Sequence, residues 1–146
     1  MSFKKGDSVE VHSNQEGFVG SYFAAKVVMP MGKNKYLVEY QTLVTDDDKK
    51  QMLQEVVNAR EIRPTPPEIL VPRFYLLDTV DVWDNDGWWV GRVNFRPTLK
   101  EYSVYFESTG EEIDYPYHNM RLHQEWENGK WYPSPRHNVV SYSRDS

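Results

Sequence analysis

The amino-acid sequence predicts an all-β fold, built as two small antiparallel β-barrels in tandem. Three observations lead to this prediction: apolar and polar residues alternate along short stretches, turn-forming residues separate these stretches, and the whole pattern occurs twice. Alternation with a period of two is typical of half-buried antiparallel strands. A sheet of four or five short strands in about 60 residues must curl into a barrel to cover its own core.

The internal repeat sets the order of the strands. The matching segments are GDSVEV at 6–11 and LDTVDV at 77–82, YFAAKV at 22–27 and WWVGRV at 88–93, YLVEY at 36–40 and YSVYF at 102–106, and IRP at 62–64 and MRL at 120–122. The second and third pairs keep the same offset of 66, so the loop between those two strands has equal length in both copies. Turn residues separate the strands: Gly17 and Gly20, Pro30 with Gly32 and Asn34, Asn85 with Gly87, and Gly110.

One stretch of the first repeat, Asp46 to Arg60, has a helix-like pattern. Three acids open it, and four apolar residues follow at helical spacing: Met52, Leu53, Val56 and Val57. Acids in a first turn favour a helix. A full helix over this stretch and an acidic loop with a brief helical turn fit the pattern equally well, so we predict a possible short helix in the first barrel.

These patterns divide the chain into four parts. We expect a first repeat at 1–65, a proline-rich connector at 66–73, a second repeat at 74–132 and a polar tail at 133–146. Proline blocks both helix and central-strand pairing, which makes the connector stiff. The tail reads as a linker or loose end.

Composition excludes several classes of protein. The net charge is −5, opposite in sign to that of a typical duplex-binding protein, and an acidic surface suits basic partners such as histone tails. The chain has no cysteine, so disulfides and thiolate metal sites are excluded. No apolar run approaches the roughly 20 residues that span a bilayer, and the first residues have no signal-peptide core. We therefore expect an intracellular protein that does not bind a membrane. The sequence does not determine the oligomeric state, for which we expect a monomer.

Catalytic and metal-binding patterns are missing from the sequence. It contains no G-x-S-x-G motif, no glycine-rich phosphate loop and no nucleophile with a placed base. The four histidines are scattered, without metal-ligand spacing on a helix. We therefore expect no enzyme activity, no metal and no cofactor.

The repeated motifs resemble those of plant Agenet domains, which belong with the Tudor-like barrels. The resemblance rests on a G-D-x-V-E-V opening, an aromatic pair before A-x-V or G-R-V, a Y-x-V-x-F/Y strand and an I/L-R-P close, and it extends from Phe3 to about Trp131. The second copy departs from the usual close, with Leu122-His123 where proline is common. The resemblance implies a nuclear chromatin module that reads methylated lysine on the histone H3 tail, with the dimethylated, heterochromatic and silencing mark as the expected ligand.

A methylated ammonium keeps its charge but gains apolar surface, so a cage of aromatic rings at a barrel rim suits it. Parity along the strands places several aromatic residues at such a rim. The second repeat offers Trp83, Trp89 and Phe106. The first offers Phe23 and Tyr40, with His12 where the first strand ends, and with Tyr22 if a local bulge turns it inward. The sequence does not decide which repeat holds the cage.

Carboxylates near both rims would orient a basic peptide and would favour a dimethylated lysine, which retains one N–H. The candidates are Asp46, Asp47 and Asp48 in the first repeat, and Asp84, Asp86, Glu107 and Asp114 in the second.

Each of these features also has an ordinary structural explanation. Aromatic residues in a small barrel are more often core than ligand site, and the acidic run 46–48 suits a solvated loop. Other functions also remain open. Small barrels with exposed rings bind RNA, although the acid excess disfavours direct nucleic-acid binding here. A scaffold for methylarginine or proline-rich peptides is the third interpretation.

Overall fold

Short antiparallel strands make up nearly all of the regular structure, as the alternating pattern predicts. The computed structural model describes residues 2–13, 17–45 and 51–136. Its strands are β1 (Ser8–His12), β2 (Ser21–Gly32), β3 (Lys35–Val44), β4 (Met52–Asn58), β5 (Ile62–Pro64), β6 (Thr79–Asp84), β7 (Gly87–Phe95), β8 (Glu101–Phe106), β9 (Glu111–Pro116), β10 (Met120–Leu122), β11 (Gln124–Glu127) and β12 (Lys130–Pro133). The only helical segments within those ranges are two 3-10 turns, Ala59–Glu61 and Tyr117–Asn119. The all-β fold class is confirmed.

The first compact unit consists of residues 1–66 and 85–88. Its strands are hydrogen-bonded in the order β4-β3-β2-β1-β5, each antiparallel to its neighbour. Side chains of alternate residues form one buried face, in which Val9, Val27 and Val38 are almost fully covered. Among the described strands, no hydrogen-bonded pairing joins β4 to β5, so hydrogen bonding does not close the predicted barrel.

The stretch 46–60, where the sequence allows a helix, contains a strand instead. β4 covers Met52–Asn58 and pairs antiparallel with β3. Its Val56 and Val57 are β-branched, which favours extended backbone over helix. Helical geometry is confined to the short turn 59–61. The full helix is therefore wrong from residue 52 onward, and residues 46–50 lie outside the described residues.

The second compact unit consists of residues 67–84 and 89–146. Its strands follow the same order as those of the first, β9-β8-β7-β6-β10. Equivalent strands also carry the buried face, and Val71 and Trp89 pack partly buried against it. Its core consists of Phe74, Val80, Val82, Val93, Tyr102, Val104, Phe106, Tyr115, Met120 and Leu122.

Both units repeat one aromatic contact. The backbone N–H of Phe3 donates to the Tyr36 hydroxyl at 3.2 Å, and that of Phe74 donates to the Tyr102 hydroxyl at the same distance. In both pairs the rings meet edge to face, at centroid distances of 5.6 and 5.4 Å. Each tyrosine is thus buried and its hydroxyl is hydrogen-bonded in the core, as the mid-strand positions of Tyr36 and Tyr102 predict.

Both units also repeat one ion pair between the first and last strands of the sheet. Arg63 of β5 lies opposite Glu10 of β1, and their side chains meet at 2.8 Å with both residues buried. Arg121 of β10 lies opposite Asp81 of β6, also at 2.8 Å. A buried carboxylate needs such a partner, so this contact fixes the pairing of the short closing strand.

A C-terminal hairpin, β11-β12, belongs to the second unit alone. Its turn, Asn128–Gly129, has positive φ at both residues, as in other tight hairpin turns. Buried His123 precedes the hairpin, with Nδ1 at 2.7 Å from Asp81 and Nε2 at 2.7 Å from Glu125. Burial alone lowers the pKa of His123, but the two carboxylates outweigh it, and the pKa lies above its ordinary value.

The segment after the hairpin is held by Arg136. Its Nη2 donates to the Asp78 carboxylate at 2.8 Å and to the Arg73 carbonyl at 2.8 Å. Its guanidinium also lies 4.5 Å from the centroid of the Tyr75 ring. Asp78 is fully buried, so Arg136 supplies a charge partner that this carboxylate needs. The polar tail predicted from residue 133 is anchored here, and residues 137–146 lie outside the described residues.

Candidate functional site

A pocket of about 380 Å³ opens at one end of the first unit's sheet, near the end of β1 and the start of β2. We call it the rim pocket. Its described lining residues are Val11, His12, Ser13, Phe18, Phe23, Tyr40, Leu43, Leu53, Glu55 and Glu61. They comprise apolar and aromatic groups, two carboxylates and no lysine or arginine. Three of the predicted cage residues, His12, Phe23 and Tyr40, are therefore brought together.

Beside the His12 imidazole, three six-membered aromatic rings line the rim pocket. The Phe23 and Tyr40 rings are perpendicular, with centroids 6.5 Å apart. Phe18, from the turn before β2, lies 6.2 Å from Phe23 at an angle of 63°. Phe23 and Tyr40 are buried, at 6% and 5% exposure, whereas Phe18 is 45% exposed. The rings thus face the cavity from different directions, with the most accessible ring on its outer side.

The Phe23 ring packs directly against Gly87 of the same unit. A Cβ at Gly87 would lie 2.7 Å from Cε1 of Phe23, closer than real Cβ contacts come. Only glycine therefore allows the ring its present position. The neighbouring turn is also tied to this unit, because the Thr42 hydroxyl donates to the Asp86 carbonyl at 2.6 Å.

Two carboxylates supply the charge of the rim pocket. Glu55, on exposed β4, accepts a hydrogen bond from the Tyr40 hydroxyl at 2.8 Å. Glu61 accepts one from the backbone N–H of Asn58 at 2.9 Å. Burial and the nearby Glu55 carboxylate raise the pKa of Tyr40 far above its ordinary value, so the phenol stays protonated and keeps donating. The pocket is thus negative, with an ordered acceptor beside an aromatic ring.

Tyr22 does not line the rim pocket. Strands β1 and β2 pair in regular register through His12 and Tyr22, without the bulge that would turn this ring inward. The Arg63 guanidinium lies 3.6 Å from the Tyr22 centroid instead. Tyr22 therefore acts in a cation–π contact outside the pocket, and its assignment as a cage residue is not supported.

The predicted cage residues of the second unit make different contacts. The indole N–H of Trp89 donates to the Asp84 carbonyl at 2.7 Å. Phe106 is buried and meets Tyr115 edge to face at 6.0 Å. Trp83 is half-buried at the end of β6. Trp89 and Phe106 are thus engaged in the packing of their own unit.

Matched positions explain why the two units differ. Tyr36 lies opposite Val57 in the first unit, and the equivalent Tyr102 lies opposite Tyr115 in the second. The longer side chain of Tyr115 reaches the Asp84 carboxylate, to which its hydroxyl donates at 2.7 Å. The valine at this position in the first unit is shorter and carries no hydroxyl.

The charge also differs at a matched position. Val38 lies opposite Glu55 in the first unit, and the equivalent Val104 lies opposite Ile113 in the second. The acceptor beside the aromatic rings in the first unit is therefore replaced by an apolar side chain in the second.

Among the described residues, none of the acidic residues predicted from the sequence lines the rim pocket. The Asp84 backbone carbonyl accepts a hydrogen bond from Trp89, and its carboxylate accepts one from Tyr115. The other three candidates of the second repeat are exposed: Asp86 in the turn before β7, Glu107 after β8 and Asp114 in β9. Asp46, Asp47 and Asp48 lie outside the described residues.

Sequence reasoning missed Phe18, Glu55 and Glu61. The helix-like pattern of 46–60 gives no reason to place Glu55 at the rim, although Leu53, Glu55 and Val57 also share one face of a strand. Phe18 lies in a turn between two glycines, where no periodicity gives it a direction.

Two other kinds of site find no support in the described part of the chain. No group of three or more histidine and carboxylate side chains lies close enough together to hold a metal ion. No helix there has the length and apolar character needed to cross a membrane.

Comparison with known proteins agrees with the repeat pattern. The sequence profile of the Agenet domain matches residues 6–67. The protein AGENET DOMAIN (AGD)-CONTAINING P1 of Arabidopsis thaliana is 42% identical over 135 residues, which cover 92% of this chain and 26% of that protein. DUF724 domain-containing protein 3 of the same plant is 35% identical, over 90% of this chain and 20% of its own length. The chain thus spans about a quarter or less of these curated relatives.

Two solved structures match over almost their full length. The AGD34 segment of Arabidopsis thaliana AGDP1 superposes with a TM-score of 0.85 and 39% identity, covering 89% of this chain and 88% of that one. The tandem Agenet domain 3-4 of ADCP1 superposes with a TM-score of 0.82 and 35% identity, covering 91% and 89%. The two-unit β fold is that of a tandem Agenet pair.

Proposed function

The chain belongs to the Agenet domain family, and from that premise we propose that it is a non-enzymatic chromatin reader module that binds a methylated lysine in the rim pocket. The ligand is the N-terminal tail of histone H3 in the nucleus, with dimethyl-lysine, a heterochromatic and silencing mark, as the preferred form. The observation that carries the proposal is the combination of three aromatic rings and two carboxylates in one cavity.

The rings suit the alkylated part of the ligand. Each methyl group replaces an ammonium N–H and makes the cation easier to desolvate, while the positive charge remains. A cation within about 6 Å of a ring centroid gains roughly 0.5–2 kcal/mol from that ring. Phe18, Phe23 and Tyr40 surround one cavity and would act together on a single ammonium.

Glu55 suits the dimethylated form. A dimethylammonium keeps one N–H and a trimethylammonium keeps none, so only the former donates to a carboxylate. Tyr40 already donates to one oxygen of Glu55 and thereby orients the group. The second oxygen is then available to receive the ligand N–H.

The first unit is the better candidate for the cage. In the second unit, Tyr115 takes the place of Val57 and donates to the Asp84 carboxylate, and Ile113 stands where Glu55 supplies charge in the first.

The test is isothermal titration of the whole chain with histone H3 tail peptides that carry each lysine in unmodified, mono-, di- and trimethylated form. We expect one dimethylated peptide to bind about tenfold or more tightly than its unmodified counterpart, with weaker binding at high salt. Equal affinity for methylated and unmodified peptides would overturn the proposal. Tighter binding of single-stranded RNA than of any peptide would do so as well.

A pair of phenylalanine variants locates the site. Phe18 is 45% exposed and Phe95, in the second unit, is 58% exposed, so replacing either with alanine removes little core packing. Phe18→Ala should weaken the dimethylated peptide by roughly 2- to 30-fold, the loss of one ring contact. Phe95→Ala, which does not line the rim pocket, should leave binding unchanged. The opposite order would place the cage elsewhere.

A further inference from the structure

Strand β4 forms one wall of the rim pocket and also one edge of the sheet. Leu53 and Glu55, two residues apart on the same face of β4, line the cavity. Among the described strands, β4 pairs with β3 alone. The N–H and C=O groups on its opposite edge therefore form no hydrogen bonds with another described strand. A side chain that enters the pocket past this wall brings its own backbone close to that edge.

The sequence of β4 lacks the several charges and the proline that often protect an exposed strand edge. Its seven residues, MLQEVVN, contain a single charge and no proline, and both Met52 and Val56 are exposed. Folded proteins normally guard such edges with several charges, proline or a very short strand, because an open edge pairs with other chains. This edge is therefore suited to pairing.

The equivalent strand of the second unit is guarded. β9, with the sequence EEIDYP, also pairs with one strand alone, β8, among the described strands. It carries three acids, Glu111, Glu112 and Asp114, and ends in Pro116. The two edges arise from the same fold, so the difference between them lies in sequence and accompanies the pocket.

We infer that the peptide bearing the methylated lysine adds to the β4 edge as an extended strand, and this inference rests on the proposed function of the rim pocket. The methylated lysine enters the pocket beside Leu53 and Glu55. Its sequence neighbours point to the opposite face, toward Met52 and Val56, because side chains alternate along a strand. Main-chain hydrogen bonds hold the peptide, and the pocket selects the residue, as in other cases of strand addition.

Charge supports a basic occupant. Glu55 and Glu61 stand beside the edge, and the whole chain has a net charge of −5. A basic peptide gains from this field, whereas a second copy of the acidic chain would be repelled. The occupant of the edge is therefore the basic tail rather than another β4.

Backbone N-methylation of the peptide tests the inference. Each amide flanking the dimethyl-lysine is methylated in turn, and each peptide is titrated against the whole chain. Amides that donate to β4 alternate with amides that point away from it. We expect every second N-methyl group to weaken binding about tenfold, the loss of one main-chain hydrogen bond with its steric clash, while those between change affinity less than about threefold.

Amide hydrogen exchange of the protein gives an independent measurement. In the complex, alternate amides of β4 should gain protection, while those of β9 should stay unchanged. If the dimethylated peptide binds but no N-methyl group weakens it and β4 gains no protection, the inference is overturned and the proposed function stands. If the dimethylated peptide binds no better than the unmodified one, both fall.

Discussion

Replacing Glu55 with glutamine tests the electrostatic part of the proposed function. The substitution removes one charge from the rim pocket but keeps an oxygen that can accept the Tyr40 hydroxyl, now at 2.8 Å. Opposite charges about 4 Å apart attract by about 4 kcal/mol near a protein surface and by about 1 kcal/mol in bulk water. Glu55 is exposed, so the lower part of this range applies, and we expect a loss of about 1–2 kcal/mol, or roughly 5- to 30-fold in affinity.

The assay is isothermal titration with the dimethylated and trimethylated peptides. Glu55→Gln should weaken the dimethylated peptide more than the trimethylated one, because only the former also loses a charge-assisted hydrogen bond. Glu39→Gln is the matched control. Glu39 lies on the neighbouring strand β3, accepts a hydrogen bond from the Gln54 side-chain amide at 3.0 Å and does not line the pocket. Equal effects of the two variants would refute the reasoning, since long-range charge alone would then explain the binding.

Three further predictions concern stability. The pKa of His123 is raised in the folded state, so its protonation stabilises the fold fully below the ordinary pKa of about 6.5, and this stabilisation is lost as pH rises through the raised pKa. The melting temperature of the wild type should fall across that pH window, and that of His123→Gln should change less. Arg63→Met removes an ion-pair partner of buried Glu10 and should lower the free energy of unfolding in urea by about 3–5 kcal/mol. Adding Glu10→Gln to this variant should restore most of the loss, and a double variant that stays as unstable would contradict this. Arg136→Ala removes a partner of fully buried Asp78 and should lower unfolding free energy by about 1–3 kcal/mol, whereas an unchanged value would show that the tail is not anchored.

Much of the fold could be predicted from local pattern. The repeat, the period of two and the turn residues determine which strands form, because each is encoded by neighbouring residues. β4 could not be assigned with the same ease: Met52, Leu53, Val56 and Val57 satisfy a helical period as well as a partial strand period. The competing pattern is resolved by pairing with β3, which is a long-range contact.

The candidate site could be predicted only in part. The alternation of residues along the strands predicts that Phe23 and Tyr40 lie at the rim, and both line the pocket. The same alternation along the strand points the Phe106 ring inward, yet alternation cannot show whether an inward ring faces a cavity or a neighbouring side chain. For Phe106 the neighbour is Tyr115 on another strand, whose ring it meets edge to face.

The most direct test of the central claim is the detection of nuclear Overhauser effects from the N-methyl protons of a dimethyl-lysine peptide bound to the whole chain. The rim pocket predicts contacts from these protons to the rings of Phe18, Phe23 and Tyr40. Contacts to Trp83 or Trp89 instead, or none to any aromatic ring in a saturated complex, would contradict it.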